Sequence, residues 1–217
     1  MNAVMRRFHF GVDLGQRKDH TAVVVIEEAL LNTGRKDAVH FEPVLERRKV
    51  VRHIERIALG TQFGRVIEKL REMTMSPSLE GANVTVCVDA TGLGAPVVEG
   101  LRYAGLRGEL MPVVFTGGQE SRWSEGYFMV PKGELLHGLS MEFERRELGI
   151  AEGIEGVGEL TTELQGMRKE YRGGAVVWRS VGKHDDLVMA LALGAWGTRR
   201  RPLPRDPEGV RRWKSNA

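Results

Sequence analysis

The chain has 217 residues, of which 41% are hydrophobic and 28% are charged, and these values suit one globular domain with a sizeable core. Its formal net charge of +3 is too small to identify an anionic partner by itself, and the single cysteine, Cys87, excludes an internal disulfide and fits a reducing compartment. No apolar run approaches the roughly 18 residues of a membrane helix, and the N-terminus lacks the apolar core of a signal peptide, so we expect a cytoplasmic protein.

The first part of the chain predicts three strands and a helix. Residues 8–14 and 21–28 are apolar runs joined by a glycine-containing turn, and residues 42–53 contain β-branched pairs among charged residues. Three successive strands with short connections predict an antiparallel meander, with the third strand at an edge. Residues 61–75 then carry apolar side chains at helical spacing.

The second part predicts strands that alternate with helices. Residues 84–89 form an apolar strand, residues 94–104 a helix and residues 110–118 a fifth strand with its exit loop, an order that implies parallel pairing through right-handed crossovers. The remaining predicted elements are helices over 132–147 and 158–171, a short strand over 175–180, an apolar helix over 184–196, and a basic tail over 198–217 that we expect to be disordered. The pattern therefore predicts an α/β domain over residues 1–197.

Two aspartates stand in strands that otherwise look buried. Asp13 lies between Val12 and Leu14, and Asp89 closes the apolar run "VTVCVD" just before a glycine turn. Strand interiors are depleted in aspartate, and an unpaired buried charge is costly. If the first and fourth strands pair in parallel, the two carboxylates lie side by side near the C-terminal strand ends, where open α/β sheets place their sites.

A third pair of acids opens the last predicted helix. Asp186 shares a helical face with Ala190 and Leu193, so it is expected to point toward the core, and Asp185 lies about 100° further round the helix. Carboxylates that are brought together repel one another, and either a proton or a cation must relieve the repulsion. Two hard divalent ions with oxygen ligands do so in enzymes that activate a water and stabilise the leaving oxygen of a phosphoryl group.

Three segments, "GVDLGQRKDHTAVVV", "VCVDATGLGAPVVEGL" and "HDDLVMALALGAW", resemble in order and spacing the nuclease domain of the large terminase subunit of tailed bacteriophages. The resemblance extends from about Phe8 to Trp196. It implies an RNase H-like (retroviral integrase-like) fold: a mixed five-stranded sheet, three antiparallel strands followed by parallel strands, flanked by helices. It also implies an endonuclease that cleaves double-stranded DNA with two Mg²⁺ or Mn²⁺ ions during viral DNA packaging and processing.

The resemblance assigns the acidic triad to Asp13, Asp89 and Asp186. Asp19 matches a position that can add a further carboxylate to the metal site, and Asp185 matches the adjacent acid of the third motif. The same family relationship implies a phage- or prophage-encoded protein that acts in the cytoplasm of the bacterial host.

One departure from the family concerns the motor. A complete large terminase carries an ATPase before its nuclease, and this chain contains no G-x-x-x-x-G-K-[ST] phosphate-binding loop. The resemblance therefore implies an excised nuclease domain or a stand-alone relative. Its partners would be a separate ATPase motor, a portal or a small terminase subunit.

The acids also have structural interpretations. Asp13 would fit a turn, and Asp89 or Asp185 would fit a helix cap, because aspartate is favoured at both kinds of position. Asp19 would fit a turn as well as a metal site. We favour metal binding for Asp13, Asp89 and Asp186 because the three motifs occur together, and we leave both interpretations open for Asp185.

Basic residues near the third motif are candidates for contacts with the DNA backbone. Two of them, Lys183 and His184, directly precede the acid pair, and "RKEYR" contributes Arg168, Lys169 and Arg172 in a candidate DNA-contacting hairpin. Charge runs are more often solvated faces, and His184 would equally suit an exposed position before the helix.

Two rival functions keep the same fold. A Holliday-junction resolvase or a ribonuclease H-like nuclease would use the same acids on a different substrate. A catalytically inactive relative would only bind DNA, and the intact acid set argues against that alternative.

Overall fold

The computed structural model describes residues 3–15, 19–92, 94–118, 120–172, 175–182 and 184–204. Its strands are β1 (Ala3–Asp13), β2 (Thr21–Lys36), β3 (Pro43–Ile57), β4 (Asn83–Asp89), β5 (Glu109–Thr116), β6 (Arg122–Ser124), β7 (Tyr127–Pro131), β8 (Leu148–Ile150), β9 (Met167–Arg172) and β10 (Ala175–Ser180). Its α-helices are α1 (Phe63–Thr74), α2 (Gly94–Tyr103), α3 (Lys132–Glu144), α4 (Val157–Gly166) and α5 (Asp186–Arg200).

The main sheet is mixed, in the order β6-β7-β5-β4-β1-β2-β3-β8. The pairs β1–β2 and β2–β3 are antiparallel, whereas β4 pairs with β1, and β5 with β4, in parallel. This arrangement confirms the predicted RNase H-like α/β fold, in which a three-stranded meander is followed by parallel strands.

The sequence prediction was wrong about the number of strands, because the sheet within the described residues has eight rather than five. The three additions, β6, β7 and β8, have only three to five residues each, too few to show an alternating pattern. One of them, β8, pairs with residues 49–51 of β3, so the predicted edge strand is covered over part of its length.

Helices cover both faces of the sheet. Alternate residues of β2 supply the two cores: Val24 and Ile26 join α3, α4 and α5 on one face, and Val23 and Val25 join α1 and α2 on the other. The alternation follows from the two-residue period of a strand. Asp13 and Asp89 end their strands between these two layers.

A glycine brings α5 close to β1. A Cβ added at Gly11 would lie 1.8 Å from the carbonyl oxygen of Ala190 and 2.4 Å from the backbone N of Gly194, so only glycine permits this approach. The contact uses Ala190, the residue predicted to share a face with Asp186. It therefore carries the N-terminal end of α5 toward Asp13.

The last helix runs further than the sequence predicted. Thr198 is buried within α5, the helix continues to Arg200, and Leu203 packs against Met5 and Leu30. Residues 198–204 of the predicted tail are therefore folded onto the domain, because an apolar residue beyond the helix returns to the sheet. Residues 205–217 lie outside the described part of the chain.

The predicted helix over 158–171 is shorter in the structure. It ends at Gly166, and the following residues form β9, which pairs antiparallel with β10. The hairpin proposed from "RKEYR" is thus present as a local element. No helix in the described part of the chain is long and apolar enough to cross a membrane.

Candidate active site

Asp13 and Asp89 are brought together by the parallel pairing of β1 and β4. Val12 is in register with Val88, so the next residue of each strand stands at the same end of the sheet. The two carboxyl groups are close enough for each to act on the pKa of the other. Both side chains are partly buried.

Burial and neighbouring charges both act on the pKa values of Asp13 and Asp89. Burial raises the pKa of Asp13 well above its usual range, and the charges of Asp89, Asp186 and Asp185 raise it further. Burial also raises the pKa of Asp89, against hydrogen bonds from Thr91 and Asp13 that lower it.

Asp186 opens α5 next to this pair and is 6% exposed. Burial raises its pKa, the charges of His184 and Arg56 lower it, and Asp185 and Asp19 raise it again. Its buried Oδ2 has no hydrogen-bond partner among the described residues, although His184 Nδ1 lies 3.6 Å away and Arg56 Nε 3.9 Å away.

Asp89 stabilises the turn before α2, and the helix-cap interpretation does not fit Asp185. Asp89 Oδ1 accepts a hydrogen bond of 2.8 Å from the backbone N–H of Thr91, so this carboxylate also shapes the glycine turn. Asp185 occupies the N-cap position of α5, yet its side chain makes no capping hydrogen bond within the described structure. Its Oδ2 instead lies 3.1 Å from Lys132 Nζ.

Lys132 is a site residue that sequence reasoning missed. It follows the C-terminal end of β7, and its charge lowers the pKa of both Asp13 and Asp89. The residue begins a helix far along the chain from either aspartate, so no local motif marks it. Only the order of the strands reveals that the ends of β4 and β7 share one edge.

Asp19 and His184 lie at the margin of the cluster. Asp19 is exposed, and its charge raises the pKa of Asp186. His184 is half-buried, and its ring meets that of His20 edge to face, with 5.9 Å between centroids. His184 therefore faces the site rather than open solvent.

The donor set suits a hard divalent cation. Four carboxylates act on one another, those of Asp13, Asp89 and Asp186 have raised pKa values, and one buried oxygen of Asp186 lacks a hydrogen-bond partner among the described residues. In the part of the chain described here, however, no three His, Cys, Asp or Glu side chains are grouped closely enough to enclose a metal ion. Asp185 pairs with Lys132 in this arrangement, so a cation bound by Asp185 would displace that contact.

Only some of the predicted DNA-binding residues lie in the described part of the chain. Lys183 lies outside the described residues, as does the side chain of Arg172. Arg168 and Lys169 are exposed on β9, and Arg168 donates hydrogen bonds to the carbonyl oxygens of Gln165 and Met167.

An arginine of the partner strand extends this basic surface. Arg179 of β10 is exposed directly opposite Arg168. Like charges at facing positions of an antiparallel pair destabilise it. The sequence alone does not set this register, so Arg179 was missed.

Comparisons with known proteins add a structural likeness. No protein-family model matches this chain, and no curated protein sequence matches it significantly. The chain is similar to the crystal structure of the g2p (large terminase) nuclease domain from the bacteriophage SPP1 with bound Mn. The two share 13% sequence identity over 90% of this chain and 86% of that chain, with a TM-score of 0.48. This is the family that the three motifs resemble.

Proposed function

We propose that the protein is a divalent-metal-dependent DNA endonuclease. The observation that carries the proposal is the acid cluster, in which Asp13, Asp89 and Asp186 come from β1, β4 and α5 to one end of the sheet. Each has a raised pKa and burial as the first cause. A stable protein keeps such a costly arrangement where a cation compensates it in the working state.

In the proposed mechanism, Asp13 and Asp89 would hold one Mg²⁺ or Mn²⁺, and Asp186, with Asp185, would hold the second. Two such ions would supply a water nucleophile and stabilise the leaving oxygen of the phosphodiester. The protein would contribute the negative charge that holds them and the strand ends that position the carboxylates. Lys132 would attract the phosphate, and its charge favours the ionised forms of Asp13 and Asp89.

The hairpin β9–β10 is proposed to contact the DNA backbone. The facing pair Arg168 and Arg179 is unfavourable in the free protein, and a phosphate between the two guanidinium groups would relieve that repulsion. Lys169 and the exposed Tyr171 add a cation and an aromatic ring on the other face of the same strand. Such contacts position DNA without reading its sequence.

The decisive experiment is plasmid cleavage with Mg²⁺ or Mn²⁺ by the wild type, Asp13→Asn and Asp89→Asn. We expect the wild type to cut and each variant to lose cleavage while remaining folded in a thermal melt. Asp37→Asn is the matched control, because Asp37 lies beyond β2, whereas Asp13 pairs with Ala22 near the start of that strand. Cutting at the wild-type rate by either site variant would overturn the mechanism.

The substrate class is resolved by the same assay with three further substrates. Linear duplex, a four-way junction and an RNA–DNA hybrid separate a packaging-type endonuclease from a junction resolvase and from a ribonuclease H. Binding without cleavage of any of them would identify an inactive DNA-binding relative. Cleavage is expected without ATP, because the sequence contains no G-x-x-x-x-G-K-[ST] phosphate-binding loop.

A further inference from the structure

The N-terminus of α5 has a cap that comes from another helix. The first N–H groups of any helix lack partners within it, and they are usually satisfied by the side chain at the N-cap position. Asp185 occupies that position here, but its carboxylate turns to Lys132. The backbone N–H groups of Leu187 and Val188 therefore need another acceptor.

Glu163 of α4 supplies it. Its Oε2 accepts hydrogen bonds of 2.9 Å from the N–H of Leu187 and 3.1 Å from the N–H of Val188. The Glu163 side chain is buried, so little water competes for these hydrogen bonds to a charged acceptor. The positive end of the α5 dipole favours the carboxylate at the same place.

Arg56 connects this cap to the acid cluster. Its guanidinium pairs with the other oxygen of Glu163, and its Nε lies 3.9 Å from Asp186 Oδ2. Arg56 belongs to β3 and Glu163 to α4, so two elements fix the first turn of α5 from outside. Among the described residues, neither side chain makes a hydrogen bond or ion pair with Asp13 or Asp89.

We propose that Glu163 is a positioning residue for the acidic site, with Arg56 as its link to Asp186. By capping α5 in place of Asp185, Glu163 leaves both aspartates of the third motif free to face the metal-binding region. It also holds the helix at the depth where Asp186 acts on Asp13. The metal-binding part of this inference rests on the proposed function.

The first test measures Mn²⁺ binding by calorimetry in the absence of DNA. Glu163→Ala is expected to weaken Mn²⁺ affinity roughly tenfold, the low end of the effect of outer partners on metal sites. Glu163→Gln retains an acceptor oxygen and should weaken it less. Glu159→Gln is the control, because Glu159 is exposed in the first turn of the same helix and should bind as the wild type does.

The second test needs no metal. A double-mutant cycle with Asp13→Asn and Asp186→Asn, measured by unfolding with a chelator present, gives the repulsion between the two carboxylates. We expect that repulsion to fall by half or more in the Glu163→Ala background. If the Glu163→Ala protein does not fold, the cycle is measured in the Glu163→Gln background. Unchanged repulsion would overturn positioning, even if stability falls. A wild type that binds no Mn²⁺ would overturn the proposed function, and the cycle alone would then decide the role of Glu163.

Discussion

Buried carboxylates have opposite electrostatic surroundings at the two ends of the sheet. At the end away from the acid cluster, Glu28 is completely buried, and its oxygens meet Arg47, His9 Nε2 at 3.1 Å and the N–H of Leu203 at 3.3 Å. Burial alone would raise its pKa, but these partners hold the pKa of Glu28 below its ordinary value.

Another buried acid at this end, which we call the compensated end, is also paired with cations. The oxygens of Glu142 lie 2.9 Å from Lys49 Nζ and 2.8 Å from Arg199 Nη1. At the site end, by contrast, Asp13 faces other carboxylates and its pKa is raised. The protein therefore pairs buried acids with its own cations at one end of the sheet, whereas Asp13 at the other end lies among other carboxylates. That difference favours function over structure as the reason for the aspartates.

The largest expected effect lies at the compensated end. Glu28→Gln removes the charge that three groups converge on and leaves the guanidinium of Arg47 without its buried partner. We expect the free energy of unfolding to fall by about 3 kcal/mol, because breaking one side of a buried ion pair strands the other. Chemical denaturation at pH 7 measures the loss.

The control for this variant is Glu46→Gln, which alters an exposed pair with Arg48. It should change the unfolding free energy by less than about 1 kcal/mol. The wild-type stability that Glu28 contributes is present above the ordinary glutamate pKa and is lost as pH falls through the lowered folded value. A Glu28→Gln protein as stable as the wild type would end the contrast between the two regions.

The sequence predicted much of this arrangement and missed identifiable parts. Strands β1, β2, β4 and β5 have apolar runs long enough to be recognised, and so does α5. The prediction that Asp13 and Asp89 lie side by side depended on parallel pairing of β1 and β4, which the structure shows.

The missed residues share one cause. Lys132, Arg56 and Glu163 reach the site from separate elements, and each is an ordinary charged residue in its local sequence. Their roles depend on tertiary distance, which no period or motif encodes. The end of α4 was placed too late for a similar reason, because pairing with β10 decides the conformation of residues 167–172.

Divalent cations should stabilise the site end alone. Mg²⁺ or Mn²⁺ at a hundred times its dissociation constant adds about 2.7 kcal/mol to the unfolding free energy of a protein that binds it only when folded. Thermal melts with and without metal check this. Asp89→Asn should lose the stabilisation, whereas Glu46→Gln should keep it. Equal stabilisation of both variants would mean that the metal binds elsewhere.

Removing an acid from the cluster should strengthen the fold in the absence of metal. Asp13→Asn relieves repulsion, and with a chelator present we expect a gain of about 1 kcal/mol at pH 7, less than the value of one pKa unit. The raised pKa of Asp13 means that the folded state binds its proton more tightly than the unfolded state does. Wild-type stability should therefore fall as pH rises from about 4, the ordinary aspartate pKa, toward the folded value, and the variant should fall less. Parallel pH curves for the two proteins would contradict the repulsion.

The smallest effect on stability is expected from Lys132, the cation that the site already contains. Its pair with Asp185 is partly exposed on both sides, so Lys132→Gln should change the unfolding free energy by less than about 1 kcal/mol. A larger effect is expected on catalysis, because Lys132 lowers the pKa of Asp13 and Asp89 and so favours their ionised forms. In Lys132→Gln, the acidic limb, which is the decline of the cleavage rate at low pH, should therefore move to higher pH.

Lys69→Gln, which breaks a comparably exposed pair with Glu55, is the control and should leave the acidic limb in place. An acidic limb that does not move in Lys132→Gln would show that Lys132 serves only its contact with Asp185, and the acid cluster would then depend entirely on the cations it binds.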